Sequence, residues 1–204
     1  MSNLPVRNEY FLGLDLGRRQ DFSALVVLER RLFARNTRYV DSLTKWEQSL
    51  IVRYARQFKL GTAYGEVAAE TARIYRAVEQ KGPATLVFDQ TGVGDAVEEM
   101  IREHLRGART EGVIITQEIK RDIYASLEML LEKGELRIPT NCHSSNELKE
   151  ELLTVEIRRV GLGYKYGAFE KDTHDDLVMA LGLAAWRERL GRSRDRQPIR
   201  LPGY

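Results

Sequence analysis

Residues 10–17, Tyr-Phe-Leu-Gly-Leu-Asp-Leu-Gly, constrain the fold more than any other stretch of the sequence. The run is apolar, has the length of a strand and is followed by a polar cluster at 18–21. Alternate side chains of a strand share a face, so Asp15 is expected to share one with Gly13 and Gly17. A carboxylate near the end of a buried strand is costly unless a cation pairs with it. Asp15 is therefore predicted either to meet a metal ion or a cationic side chain, or to cap a turn.

Composition places the chain among ordinary globular proteins. Its 204 residues, 43% hydrophobic and 30% charged, fit one domain over 1–190 followed by a flexible basic tail over 191–204. The net charge of +2 excludes a strongly basic coat for nucleic acid, so any polyanion site has to be a local patch. The single cysteine, Cys142, excludes an internal disulfide and favours a reducing cytoplasm. No signal peptide and no apolar run of about 18 residues is found, so no membrane contact is expected.

The pattern of apolar runs and turn residues predicts an α/β protein. Expected strands lie at 10–17, 22–29, 37–46, 84–89 and 112–116. Expected helices lie at 66–80, 95–105, 123–133, 145–158 and 174–190, with a hairpin or loop at 161–167. The short gap between the first two strands favours an antiparallel hairpin, and the later alternation of strands and helices favours parallel pairing. We expect a mixed five-stranded sheet, antiparallel in its first three strands and parallel afterwards, flanked by helices.

Two further acidic features accompany Asp15. Asp89 ends the fourth predicted strand, and Asp175-Asp176 open a helix whose next nine residues are almost all apolar. Taken alone, Asp89 could form an Asx turn and either aspartate of the pair could cap its helix. Ligand sites, however, gather at the carboxyl ends of parallel strands, and a buried helix could bring its acidic start to that edge. Converging carboxylates need cations, and oxygen ligands suit Mg²⁺ or Mn²⁺, of which two can act together on a phosphodiester.

The order of these motifs resembles a known family. A strand with Asp15, the segment Asp-Gln-Thr-Gly-Val-Gly-Asp at 89–95 and the segment His-Asp-Asp-Leu-Val-Met-Ala at 174–180 are similar to the RNase H-like nuclease domain of phage terminase large subunits. The segments at 127–139 and 147–152 also resemble that family. The resemblance covers most of residues 8–190. It implies an RNase H-like fold and a metal-dependent endonuclease that hydrolyses DNA.

The resemblance also implies roles for particular residues. Asp15, Asp89 and one of the pair Asp175 and Asp176 would be the catalytic metal ligands for two Mg²⁺ or Mn²⁺ ions, with Asp176 favoured within the pair. Asp21 would be a further acidic ligand, and His174 would either orient water as an outer ligand or be a surface residue. Gly13 and Gly17 would give clearance to the DNA backbone. Candidate DNA-binding residues are Arg18, Arg19, Lys120, Arg121 and Lys165, although a charge of this kind, taken singly, is more often a solvated surface residue.

The chain departs from full terminase large subunits in one respect. It contains no Gly-x-x-x-x-Gly-Lys-Ser/Thr loop, so motor-driven packaging is not predicted as its own activity, and we expect either a free-standing nuclease or a fragment. The expected partner is double-stranded DNA in the cytoplasm of a bacterium, for a phage or prophage protein. A separate ATPase, a small terminase subunit or a portal protein are candidate partners. The alternatives left open are a Holliday-junction resolvase, a non-catalytic DNA-binding or assembly module with a decayed site and, through Gly-Leu-Asp-Leu-Gly at 13–17, an actin-like or sugar-kinase phosphate-binding domain.

Overall fold

A mixed β-sheet forms the centre of the protein in a computed structural model that describes residues 5–17, 21–34, 46–160, 163–169 and 173–195. The sheet strands are β1 (Pro5–Asp15), β2 (Ala24–Ala34), β3 (Trp46–Gln57), β4 (Ala84–Asp89), β5 (Thr110–Val113) and β6 (Leu136–Arg137). A separate hairpin consists of β7 (Glu156–Val160) and β8 (Gly163–Gly167). The helices are α1 (Tyr64–Glu79), α2 (Asp95–His104), α3 (Gln117–Glu132), α4 (Ser145–Thr154) and α5 (Asp176–Asp195).

The strand pairing confirms the predicted mixed α/β sheet and adds one strand. The order is β5-β4-β1-β2-β3-β6. Strands β1, β2 and β3 are antiparallel neighbours, whereas β4 joins β1, and β5 joins β4, in parallel. Over the described residues the sheet has six strands, one more than the five predicted, because residues 136–137 pair in parallel with β3.

Helices cover both faces of the sheet, as side-chain alternation along the strands requires. Tyr10, Leu12 and Leu14 of β1 lie in the core on the face covered by α1 and α2. Phe11 lies in the opposite core, to which α3, α4 and α5 contribute. The apolar start of α5, residues 177–185, is buried throughout, as the sequence predicts. Asp15 is one position further along β1 than Leu14 and therefore belongs to the α5 face.

The close packing of α5 on β1 depends on Gly13. A Cβ atom at Gly13 would overlap the carbonyl oxygen of Ala180 in α5, and one at Gly17 would overlap the backbone of Asp21 and Phe22. The expectation that these glycines clear space for DNA is therefore wrong, because protein backbone occupies both places. Gly13 instead determines how near the buried helix comes to the central strand.

Several element boundaries differ from those predicted. The third strand was expected at 37–46, which lies outside the described residues except for Trp46, and the described third strand runs over Trp46–Gln57. Helix α3 starts at Gln117, where Thr116 accepts a hydrogen bond from the amide of Ile119, six residues before the predicted start. The helix expected to reach residue 158 ends at Thr154, because the following residues pair with β8.

The last helix runs to Asp195, five residues past the predicted domain boundary, and residues 196–204 lie outside the described part of the chain. Among the described residues, no helix has both the length and the apolar character needed to cross a bilayer.

Candidate active site

The register of the central strands brings the predicted acidic residues to one edge of the sheet. Leu14 of β1 is paired with Phe88 of β4, so Asp15 and Asp89 follow side by side at the carboxyl ends of two parallel strands. On the other side of β1, Asp15 is paired with Ala24, which is itself paired with Gln57 at the end of β3. Parallel neighbours with a common register are what place two strand-end carboxylates together.

A cavity of about 440 Å³ opens at this edge. Its lining includes all five acidic residues predicted for the site and the predicted histidine: Asp15, Asp21, Asp89, Asp175, Asp176 and His174. Thr91 and Thr173 add hydroxyl groups. The polar character of the lining contrasts with a second cavity, of about 390 Å³, whose walls are mainly apolar residues of α3, α4 and the β7–β8 hairpin.

Buried carboxylates that lie close together dominate the electrostatics of the cavity, with Lys120 as a neighbouring cation. Burial raises the pKa of Asp15 well above its ordinary value, and the charges of Asp89, Asp176 and Asp175 raise it further. Burial, and then the charge of Asp175, raise the pKa of Asp176 to about 6. Both shifts disfavour ionisation and would be reversed by a cation among these side chains. The geometry therefore creates a demand for positive charge in the cavity.

Asp89 takes part in a turn as well as in the cavity. Its Oδ1 accepts a hydrogen bond of 2.7 Å from the amide of Thr91, which is the Asx turn considered from the sequence. The hydroxyl of Thr91 accepts a 2.7 Å hydrogen bond from the amide of Ile115, beyond β5. These contacts hold the carboxylate at the cavity, so the turn and a ligand role are compatible.

Asp175 is held from the side of α3. The hydroxyl of Tyr124 donates a 2.7 Å hydrogen bond to Oδ2 of Asp175, and Nζ of Lys120 lies 3.6 Å from the same oxygen. Burial, followed by the charge of Asp175, raises the pKa of Tyr124, which keeps the phenol protonated and donating. Gly167, at the end of β8, lies against this carboxylate. Both aspartates of the pair therefore face the cavity.

His174 and Asp21 lie at the outer part of the cavity. The ring of His174 meets Phe22 edge-on with centroids 4.9 Å apart, and its Nδ1 is 3.9 Å from Oδ2 of Asp176. Its side chain is 44% exposed, so it can reach solvent or a ligand at the mouth. Asp21 is exposed and contributes to the raised pKa of Asp176.

Glu151 and Gln57 belong to the site although they were not predicted. Oε2 of Glu151 accepts hydrogen bonds of 2.8 and 3.1 Å from the amides of Leu177 and Val178. Nε2 of Gln57 lies 3.3 Å from Oε1 of Glu151 and 3.5 Å from Oδ2 of Asp176. Burial raises the pKa of Glu151 to about 7, against the lowering effect of the Val178 amide. The signal in the sequence was a glutamate on the apolar face of a helix, between Leu148 and Leu152.

The candidate DNA-binding residues differ in how close they lie to the cavity and in whether the structure describes them. Lys120 lies beside the cavity through its contact with Asp175, within α3 instead of in a loop after β5. Arg121 is on the same helix and makes long ion pairs with Glu118 and Asp122, at 3.9 and 3.7 Å. Lys165 is exposed on β8. Arg18 and Arg19 lie outside the described residues.

The donor set of the cavity suits a hard divalent cation. Its lining offers carboxylate and hydroxyl oxygens, a donor type that Mg²⁺ and Mn²⁺ prefer to the nitrogen and sulfur ligands favoured by zinc. Within the described part of the chain, no three histidine, cysteine, aspartate or glutamate side chains are grouped so that they could hold one ion together. Mg²⁺ is commonly bound by one or two carboxylates and several waters, a coordination that pairs of these side chains can provide.

The fold is similar to that of solved terminase nuclease domains. The human cytomegalovirus terminase nuclease domain matches with a TM-score of 0.58 at 11% identity, over 91% of this chain and 86% of that one. A mutant nuclease domain of the large terminase subunit of bacterial virus Sf6, solved with manganese, matches with a TM-score of 0.57 at 13% identity, over 89% of this chain and 88% of that one. The architecture is thus that of the RNase H-like terminase nuclease domains.

Comparison of the sequence with curated proteins also gives a terminase relative. No family model matches the chain. The terminase large subunit of Thermus phage G20c is 26% identical over 176 residues, which are 86% of this chain and 31% of that protein. The chain therefore spans about a third of the length of this curated relative. It is related to the terminase large subunits and has the fold of their nuclease domains.

Proposed function

We propose that the protein is a metal-dependent endonuclease that hydrolyses phosphodiester bonds of double-stranded DNA. The observation that carries the proposal is the convergence of Asp15, Asp89, Asp175 and Asp176 on one cavity. Burial, and then the charges of the neighbouring aspartates, raise the pKa of Asp15, so the site is suited to bind cations and poorly suited to bind DNA phosphate without them.

The proposed roles follow from position. Asp15 and Asp89, at neighbouring strand ends, would hold one divalent ion between them, and Asp176 or Asp175 from α5 would contribute to a second. Two Mg²⁺ or Mn²⁺ ions, when bound, would supply the positive charge that activates a water and stabilises the leaving oxygen. Lys120 beside the cavity, and Lys165 and Arg121 further out, are proposed to contact DNA phosphates. His174 and Asp21 at the mouth are proposed to orient water or to complete a metal shell.

Plasmid cleavage tests the proposal. Supercoiled plasmid is incubated with the protein and Mn²⁺ or Mg²⁺, and nicked and linear products are measured for wild type, Asp15→Asn and Asp89→Asn. Both variants are expected to lose at least about a hundredfold in rate, because the loss of metal charge removes several kcal/mol of transition-state stabilisation. Asp122→Asn is the matched control, since that carboxylate on α3 is 52% exposed and outside the cavity lining.

Plasmid cleavage, together with assays of four-way-junction cleavage and ATP binding, separates the alternatives. Equal cleavage by wild type and both cavity variants would refute the assignment of the site. A strong preference for a four-way junction over linear duplex would indicate the resolvase alternative, and ATP binding without cleavage would indicate the actin-like or sugar-kinase alternative.

The biological setting is proposed by analogy with the relatives. A terminase-like nuclease would act in the cytoplasm of a bacterial host on phage DNA, together with a separate ATPase, a small terminase subunit or a portal protein. Co-purification of this chain with such proteins from phage-infected cells is the corresponding measurement.

A further inference from the structure

The amino-terminal end of α5 is capped by a residue from another helix. A helix normally satisfies its first free amides with the side chain of its own N-cap residue, here Asp175, acting on the second and third helical residues. Those residues are Leu177 and Val178. Their amides donate instead to Oε2 of Glu151, at 2.8 and 3.1 Å, from helix α4.

The replacement cap changes what Asp175 can do. Because the amides are already satisfied, the Asp175 carboxylate is not bent back over its own helix. It accepts a hydrogen bond from the hydroxyl of Tyr124 at 2.7 Å and lines the cavity. The contact between Gln57 and both Glu151 and Asp176 ties the cap to the second aspartate as well. Glu151 is itself buried, 8% exposed, and is not among the residues that line the cavity.

We infer that Glu151 is a positioning residue that caps α5 in place of Asp175 and thereby leaves Asp175 and Asp176 free to bind metal in the cavity. The metal-binding part of this inference rests on the proposed function, whereas the exchange of caps does not. Without the Glu151 carboxylate, the free amides are expected to draw Asp175 back onto its helix, out of the cavity.

Two substitutions distinguish a cap from a direct metal ligand. Glu151→Met keeps the volume of the side chain and removes both acceptor oxygens. Glu151→Gln keeps one oxygen that can accept from both amides and removes the charge. Glu150→Gln is the matched control, because it neutralises the exposed neighbouring carboxylate.

Calorimetric titration with Mn²⁺ in the absence of DNA is the first measurement. Substitution of groups that orient metal ligands typically weakens metal binding by about 10–100-fold, so the Kd of Glu151→Met is expected to rise by at least about tenfold. The Kd values of Glu151→Gln and Glu150→Gln are expected to stay within about threefold of wild type, because the cap, or the whole site, is kept. Equal weakening in Glu151→Gln and Glu151→Met would overturn the inference in favour of a direct ligand. An unchanged Kd in Glu151→Met would overturn it as well.

The thermal stability of the metal-free protein is the second measurement, and it does not depend on nuclease activity. A helix cap contributes about 1 kcal/mol, which is about 2–4 °C in Tm for a chain of this size. In the Glu151→Met background Asp175 is expected to act as the cap, which it does not do in wild type. Asp175→Ala should therefore lower Tm by about 2–4 °C more in that background than in wild type. Equal effects in both backgrounds would refute the exchange of caps. If Glu151→Met does not fold, the same comparison is made in Glu151→Leu, which also removes both acceptor oxygens and carries the same expectation.

The two proposals can fail separately. If Asp15→Asn binds Mn²⁺ as well as wild type does, the metal site is wrong, whatever the result at Glu151. If Asp15→Asn loses binding while Glu151→Met retains it, the metal site stands and the positioning role is wrong.

Discussion

Asp176→Asn is expected to make the metal-free protein more stable at neutral pH, although it removes a proposed metal ligand. Burial, and then the neighbouring charge of Asp175, raise the pKa of the Asp176 carboxyl from 3.8 to about 6. A raised pKa in the folded state means that folding favours the protonated acid. The carboxyl therefore contributes its full stability below its unfolded pKa, and that stability is lost as pH rises through the folded pKa. Asparagine has almost the same shape but carries no charge, so the Asp176→Asn variant keeps this stability as the pH rises.

The magnitude follows from the size of the shift. One pKa unit corresponds to about 1.4 kcal/mol, so the rise from 3.8 to about 6 penalises the charged form by about 3 kcal/mol at pH 8. The penalty falls to about half of that at pH 5 and to less than about 1 kcal/mol at pH 4, because the carboxyl becomes protonated in the unfolded state as well. The free energy of unfolding of Asp176→Asn should therefore exceed that of wild type by an amount that grows from pH 4 to pH 8.

Urea unfolding followed by tryptophan fluorescence at pH 4, 5 and 8, in the presence of a chelator, measures this difference. Asp122→Asn, at an exposed carboxylate, serves as the control and should stay within about 0.5 kcal/mol of wild type. Millimolar Mn²⁺ should narrow the gap at pH 8, because a ligand stabilises the form that binds it. If Asp176→Asn is less stable than wild type at pH 8, or the gap does not change with pH, the electrostatic argument for the cavity is refuted.

Three further predictions concern other contacts. Gly13→Ala should lower the free energy of unfolding by about 3 kcal/mol, because the added Cβ atom would overlap the carbonyl oxygen of Ala180 in α5. An unchanged midpoint of urea unfolding would contradict that packing. Tyr124→Phe should weaken Mn²⁺ binding by about tenfold in a calorimetric titration, because Asp175 loses its hydroxyl donor. An unchanged Kd would refute a ligand role for Asp175. Arg30→Met should lower the free energy of unfolding by about 3–5 kcal/mol, since the buried carboxylates of Glu9 and Glu188 each lose a cationic partner. A loss below about 1 kcal/mol in urea unfolding would show that these ion pairs contribute little.

The elements that carry the site were predictable because their signals are local. The apolar run ending near Asp15, the strand at Ala84–Asp89 and the apolar helix after Asp176 are each encoded in about ten consecutive residues. Side chains alternate between the two cores along such a strand, with Leu86 and Phe88 in one core and Val87 in the other. Periodicity predicts such elements because burial of an apolar face is what stabilises them.

The elements that differ from the sequence prediction are those stabilised mainly by partners distant in the chain. β6 has two residues and exists because β3, about 85 positions earlier, offers a parallel neighbour. Residues 156–160 follow a helix without a strong stop signal, and pairing with β8 turns them into a strand. Local propensity cannot specify either outcome, since the hydrogen bonds that decide it come from another part of the chain.

The sequence by itself predicted that acidic residues end two strands and open a buried helix, and hence predicted a demand for cations at one edge of an α/β sheet. Tertiary structure alone decided how that demand is arranged. The parallel register of β1 and β4 places Asp15 beside Asp89, and the approach of α5 over Gly13 brings Asp175 and Asp176 to the same cavity. Glu151 takes over the helix cap from 26 residues away. The physical reason is that a carboxylate's role depends on which donors and charges surround it, and those surroundings exist only once the chain has folded.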